Sequence, residues 1–268
     1  GAVRVFDRDN KEVPSQIAKI EGMKATILFL AKTPSLGYVT FDLRPSEAPC
    51  LLPTELKITP TSLENSKYVV KINSDGDVSS IFDKVAKREL LSSPTRLSFQ
   101  YERPQLYPAW NMDWVDRKMP PIGYVDGPPK IRIVENGQVR IALEVERESR
   151  HSKFVQRIRL TAGGERVEFD TQIDWATKES SLKAEFNLAV ANPRATYNDG
   201  VGTVQRDNND SLKFEVPSHQ WFDVTDKDGS YGVSVLDDCK YGSDKPADNM
   251  VRLTLLYTPG VRYSYSEQ

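Results

Sequence analysis

The chain has 268 residues, with 36 lysines and arginines against 38 aspartates and glutamates and a formal net charge of −2. A chain of this length buries about three quarters of its unfolded surface, so an apolar content of 38% is enough for a packed core without disulfide staples. Charges of both signs alternate along the chain, leaving no basic stripe to track a phosphate backbone, which excludes nucleic acid as an expected partner.

The start, Gly1-Ala2-Val3, has neither an initiator methionine nor a leader and reads as a processing or cloning boundary. From there the apolar period is two. Val3-Arg4-Val5-Phe6 predicts a first strand, and Ala25 to Ala31 predicts a buried strand far too short for a membrane span, so no membrane partner is expected. Gly37-Tyr38-Val39-Thr40-Phe41 predicts another strand. Prolines then cluster at Pro34, Pro45, Pro49, Pro53 and Pro60, where they interrupt any ladder. A boundary near this cluster divides the chain into a small β-sandwich over 1–58 and a larger β domain over 59–268.

Beyond the boundary the alternation continues through Tyr68 to Ile72, Ile131 to Val134, Arg140 to Val145, Phe154 to Leu160 and Val167 to Asp170. These predict half-buried antiparallel strands. Turn signals lie at 74–77, 135–138, 162–165 and 226–229, each with a glycine able to take positive φ. The segment 83–91 has some helical character but reads better as a loop between strands. The fold class is all-β, and the end of the chain, 261–268, also has a strand-like pattern.

Two segments carry candidate chemistry. In the loop 101–114, Trp110 and Trp114 offer aromatic faces for the C–H face of a sugar, and Asn111 and Asp113 offer hydrogen bonds to its hydroxyls. The structural alternative makes the tryptophans core aromatics and pairs Arg103 with Asp113. We take the core reading for Trp110, while for Asn111 and Asp113 both readings stand. The second segment is the strand 231–236 and the corner after it, where Asp237, Asp238, Lys240 and Tyr241 gather between glycines. A strand end with a capping aspartate is the plainer reading, and Asp238, Lys240 and Tyr241 remain candidates for ligand or partner contact. Two separated histidines, His151 and His219, read as structural or surface residues. Cys50 and Cys239, without a spacing motif, read as buried thiols rather than a disulfide or metal site.

The corner Asp237-Asp238-Cys239-Lys240-Tyr241-Gly242 resembles the Asn-Asp-Cys-Lys-Tyr-Gly corner of glycoside hydrolase family 38, the α-mannosidases, with Asp237 where that family usually has asparagine. The resemblance recurs in order along nearly the whole chain. It includes Val13-Pro14-Ser15-Gln16, Leu36-Gly37-Tyr38, Asp75 to Lys84, Arg88-Glu89-Leu90-Leu91, Arg103-Pro104, Ala109 to Asp113, Lys183-Ala184-Glu185-Phe186, Arg194 to Tyr197, Val216-Pro217 with Trp221, and Arg252 to Leu256.

This resemblance implies the C-terminal β region of such an enzyme, a small sandwich followed by a large antiparallel super-sandwich similar to galactose mutarotase. It also implies that the zinc ligands and the nucleophile lie on an N-terminal catalytic domain with alternating strands and helices. Nothing in this chain has that pattern, and neither histidine stands in an H-x-D or H-H-D context. The expectation is a region truncated at both ends that is non-catalytic alone, holds no metal, takes its catalytic domain as a partner and serves the hydrolysis of mannose-containing glycans. Two alternatives stay open. One is a free-standing carbohydrate-binding module built on the aromatic loop. The other is a mutarotase-like epimerase pairing a histidine with a glutamate.

Overall fold

The computed structural model describes residues 1–260, and the strand-like pattern noted at 261–268 lies outside the described residues. The described chain is built from antiparallel strands, with a single four-residue helix at Trp114–Arg117.

The N-terminal part is a three-stranded sheet, Glu12–Val13 beside Ala2–Phe6 beside Asp42–Ser46, with a separate ribbon of Ser15–Glu21 and Lys24–Phe29. Two expectations fail here. The third strand is Asp42–Ser46 rather than 37–41, and Tyr38 is exposed. Pro45 is accommodated because that strand lies at the sheet edge, where a missing N–H costs no ladder bond. Lys24–Phe29 is a half-exposed ribbon strand rather than a buried one, because no further strand covers its outer face among the described residues.

The larger part holds four sheets. A five-stranded sheet runs Lys57–Thr59, Ser62–Glu64, Tyr68–Ile72, Val78–Asp83, Arg88–Glu89. A four-stranded meander runs Lys130–Asn136, Arg140–Ser149, Ser152–Thr161, Glu168–Asp174. A second four-stranded sheet has Arg194–Asn198 paired with Thr203–Asp207 and Trp221–Thr225, the last also paired with Gly232–Leu236. A six-stranded sheet is ordered Gly123–Tyr124, Arg96–Tyr101, Ser180–Asn187, Met250–Thr258, Gly242–Ala247, Val216–Pro217. The four glycine-bearing turn signals each join neighbouring strands or close a tight connection between them. The Arg150–His151 turn carried no such signal: both residues take positive φ, 49° and 66°, without a glycine.

Alternation explains where the core sits. Val70, Ile72, Val78 and Ile81 pack with Ile141, Leu143, Val145, Ile158 and Leu160, and the cluster continues through Tyr197, Phe222 and Val224 to Val251 and Leu253. A second cluster joins Leu97, Phe99 and Leu182 of the six-stranded sheet to Phe154 of the meander, with Trp175 stacked on Phe99 at 6.0 Å between centroids. Each such side chain contributes about 1.5–3 kcal/mol by leaving water. One face of the six-stranded sheet is thereby committed to the core.

Candidate functional site

The other face of the six-stranded sheet is polar and still buried. Pairings of Arg96 with Glu185, Ser98 with Lys183 and Gln100 with Ser181 place polar side chains opposite one another. A bulge between Leu182 and Lys183 then aligns Lys183 with Thr254 and Glu185 with Arg252. Ser98, Gln100, Ser181, Lys183, Glu185 and Arg252 are all buried. Strict alternation would leave this face in water. Here the loop 102–122 and the loop 208–215 lie against it, Arg117 reaching Ser181 and Glu215 reaching Lys183 and Thr254.

Each loop is fastened by charge. Glu102 Oε1 lies 2.5 Å from Arg117 Nη2, with both side chains wholly inaccessible to solvent, and it accepts from Ser181 Oγ at 2.7 Å. Its other oxygen, Oε2, is buried with no hydrogen-bond partner among the described residues. Burial outweighs Arg117 and pushes the Glu102 carboxyl up to about 7. Glu215 fastens the second loop: it accepts from Thr254 Oγ1 at 2.5 Å and from Lys183 Nζ. Lys183 also donates to Asp244 at 2.9 Å, and Arg252 donates to Asp244 through Nε and Nη2. Burial works against ionisation of Asp244, but Lys183 and Arg252 outweigh it and hold its carboxyl below the usual range. Trp114 meets Phe214 at 5.6 Å between centroids, joining the two loops above the sheet.

The sequence candidates on the first loop separate in the structure. Trp110 is not a core aromatic: it is 82% exposed, beside Tyr107 at 6.2 Å. The loop doubles back at Tyr107, whose carbonyl accepts from the backbone N–H of Trp110 and Asn111, so residue 110 points off the tip. Asp113 does not pair with Arg103. Asp113 Oδ2 accepts from the Gln105 N–H at 2.7 Å, and Arg103 reaches Glu179 at 3.6 Å. Asn111 Nδ2 donates to the Leu106 carbonyl at 3.1 Å. Asn111 and Asp113 therefore spend polar atoms shaping the loop.

At the corner, Asp237 Oδ1 accepts from the Lys240 N–H at 3.1 Å, the capping role expected of an aspartate there, and burial raises its carboxyl pKa. Asp238 is exposed, and Lys240 is half-buried. Tyr241 is exposed and sits edge-on to His219 at 6.2 Å, so it fills no interior gap. Cys50 is buried as expected, but Cys239 is exposed because it occupies the turn with φ of 64°. The corner adjoins the second loop: Ser218 N–H donates to the Tyr241 carbonyl, and a Cβ on Gly242 would lie 2.7 Å from Glu215 Oε1. Both candidate segments thus adjoin the loop 208–215, the first through Trp114 on Phe214 and the second through Gly242 beside Glu215.

His151 stands in an open depression with Glu148, Arg150, Lys153 and Asp174, at the tip of the meander hairpin. His219 precedes the strand Trp221–Thr225. Among the described residues, no group of three His, Cys, Asp or Glu side chains is placed to hold a metal ion. No helix of the described residues is long and apolar enough to cross a membrane. The roofed charge cluster went unread in the sequence. Lys183 and Glu185 alternate with Ala184 and Phe186, but nothing local shows that loops cover their face.

The fold and this roofed sheet define a multi-sheet antiparallel β-sandwich region. The chain belongs to the glycosyl hydrolases family 38 C-terminal domain, whose family description it matches over residues 63–261. It is 26% identical over 211 residues to Alpha-mannosidase G of Dictyostelium discoideum, covering 74% of this chain and 19% of that protein. It is 29% identical over 253 residues to Alpha-mannosidase 2C1 of Mus musculus, covering 87% of this chain and 23% of that one. The chain thus spans about a fifth to a quarter of the length of these relatives. In fold it is similar to the crystal structure of an alpha-mannosidase from Enterococcus faecalis, with a TM-score of 0.75 at 16% identity, over 96% of this chain and 34% of that one.

Proposed function

We propose that this chain is the C-terminal β region of a retaining, zinc-dependent α-mannosidase that hydrolyses α-mannosidic linkages in glycans, and that it is non-catalytic by itself. The observation that carries the reading is the family match over 63–261, joined to relatives that are named α-mannosidases and are several times longer. In this reading the N-terminal sheet and ribbon form the smaller unit and the sheets from the strand Lys57–Thr59 onward the larger domain, the sequence boundary at 58 falling inside that strand, and both support a catalytic domain in the same polypeptide. That domain supplies a carboxylate nucleophile and a second carboxylate acting first as acid and then as base. Zinc, when bound there, holds the sugar hydroxyls. This chain's residues serve as scaffold, and Asp238, Lys240 and Tyr241 are the side chains it offers toward a cleft.

The test is the longer product of the same reading frame. It is expected to release mannose from an α-mannoside with retained anomeric configuration by NMR, to lose activity to a chelator and to regain it with zinc. An inverted product, or activity indifferent to chelation and zinc, overturns the mechanism. An upstream frame that encodes no strand–helix domain overturns the whole reading.

A further inference from the structure

We propose that the apolar face formed by Leu106, Tyr107, Trp110, Val115 and Met119 of the first loop, with Leu212 of the second, is the surface on which the remainder of the enzyme's polypeptide docks. This rests on the reading that the chain is the β region of a larger α-mannosidase. All six side chains are exposed, Leu212 at 88%. They stand on two loops joined by the Trp114–Phe214 contact. Scattered exposed apolar residues are ordinary, whereas a contiguous group marks an interaction site.

The loop is built to display them. Tyr257 Oη reaches the carbonyl oxygens of Pro108 at 3.0 Å and Asn111 at 2.5 Å, clasping the tip from the sheet side. Tyr107 sits at φ of 51°, a left-handed conformation costly for a bulky residue. Beneath the tip the Glu102–Arg117 pair anchors the base. In a loop so fastened Tyr107 and Trp110 stay in solvent, while Trp114 packs on Phe214.

The chemistry favours a protein surface over a sugar. A glycan subsite needs polar groups converging beside the aromatic platform, but Asn111 Nδ2 and Asp113 Oδ2 are engaged within the loop. What faces outward is apolar area, rich in aromatic residues and methionine, as at the centre of protein interfaces. The relatives supply the occupant: the chain covers 23% of the mouse and human proteins it matches, leaving ample polypeptide for a further domain. A tethered domain docks through a modest surface because the linkage raises its effective concentration.

Hydrogen exchange on the 268-residue chain and on the longer product of the same frame tests this directly. Peptides covering 103–119 and 210–217 are expected to exchange at least about tenfold more slowly in the longer protein, as amides covered by an interface do. Trp110→Asp and Leu212→Asp should leave the melting of the short chain unchanged while reversing that protection in the long one. Equal exchange in the two proteins overturns the proposal, and if the longer protein hydrolyses an α-mannoside all the same, the functional reading survives. Slowed exchange in a longer protein that hydrolyses no α-mannoside keeps the docking face and removes the functional reading. Protection of the short chain by a mannose oligosaccharide, with none gained from added polypeptide, overturns the proposal in favour of a glycan surface.

Discussion

Glu102 and Arg117 meet at 2.5 Å with no solvent access to either side chain, so one ion pair ties the start of the first loop to its short helix over the sheet. The groups facing Glu102 are Arg117 and Tyr257 with Ser181 and Lys183 from the sheet, and Glu215 from the second loop. Desolvation dominates among these influences, and the carboxyl takes up a proton near pH 7 rather than near 4.5.

A carboxyl that binds its proton more readily when folded than when unfolded stabilises the fold at low pH. The contribution is complete below about 4.5 and is lost as pH rises through about 7. Its size is at most about 3 kcal/mol. Urea titrations of the wild type at pH 5 and pH 8 are expected to show this decline, and Glu102→Gln to flatten it. Arg117→Met, which strands a buried carboxylate, should cost about 3–5 kcal/mol at pH 8 and less at pH 5. An unaltered pH slope in Glu102→Gln contradicts the account.

Lys183 balances Asp244 and Glu215, two carboxylates on different segments. Lys183→Met is expected to destabilise the fold by about 3–5 kcal/mol, since it leaves a buried carboxylate short of its cation. Asp244, with a depressed pKa, contributes stability above its unfolded value and loses it as pH falls through the folded one. Removing Lys183 should therefore move acid unfolding to higher pH. A loss under about 1 kcal/mol would place the cluster among ordinary surface pairs.

Gln16 ties the N-terminal ribbon to the meander. Its Oε1 accepts from the N–H groups of Val139 and Arg140 at 2.9 and 2.8 Å. A Cβ on Gly137 would lie 2.1 Å from that oxygen. Gly137→Ala should displace Gln16, cost about 1–3 kcal/mol for the unpaired amides, and speed exchange at Val139 and Arg140 while Leu143 and Val145 stay protected. Unchanged exchange at both amides would show that the clasp contributes nothing.

Cys239 is exposed, and its Sγ donates to Asp238 Oδ1 at 3.2 Å, a contact that holds the thiol pKa up. Because the thiolate is the nucleophile, iodoacetamide at pH 8 should alkylate Cys239 slowly in the wild type and faster in Asp238→Asn. Cys50, buried, should react only after unfolding. Equal rates at Cys239 in the two proteins would contradict the assigned contact.

Much of the architecture was legible because alternation and turn chemistry agree: Gly76 at φ of 81° and Gly229 at 72° sit where a turn demands them. The hairpin at Arg150 and His151 was not legible, since its positive φ values are imposed by strand pairing rather than by residue type. Gly37 to Phe41 alternates as a strand should, yet it forms no strand, and no backbone among the described residues pairs with it as a ladder. The charged face of the six-stranded sheet looked like a solvated one, because alternation gives the period of a strand and says nothing about a loop laid across it. Trp110 reads as a core aromatic yet stands in solvent for the same reason: a loop aromatic carries no local mark of which way it turns.

The central claim is that this chain serves an α-mannosidase whose chemistry lies in another domain, and hydrolysis of an aryl α-mannoside tests it most directly. The account predicts no turnover by the 268-residue chain, with or without zinc, and turnover by the longer product of its frame. Turnover by the short chain alone would contradict it.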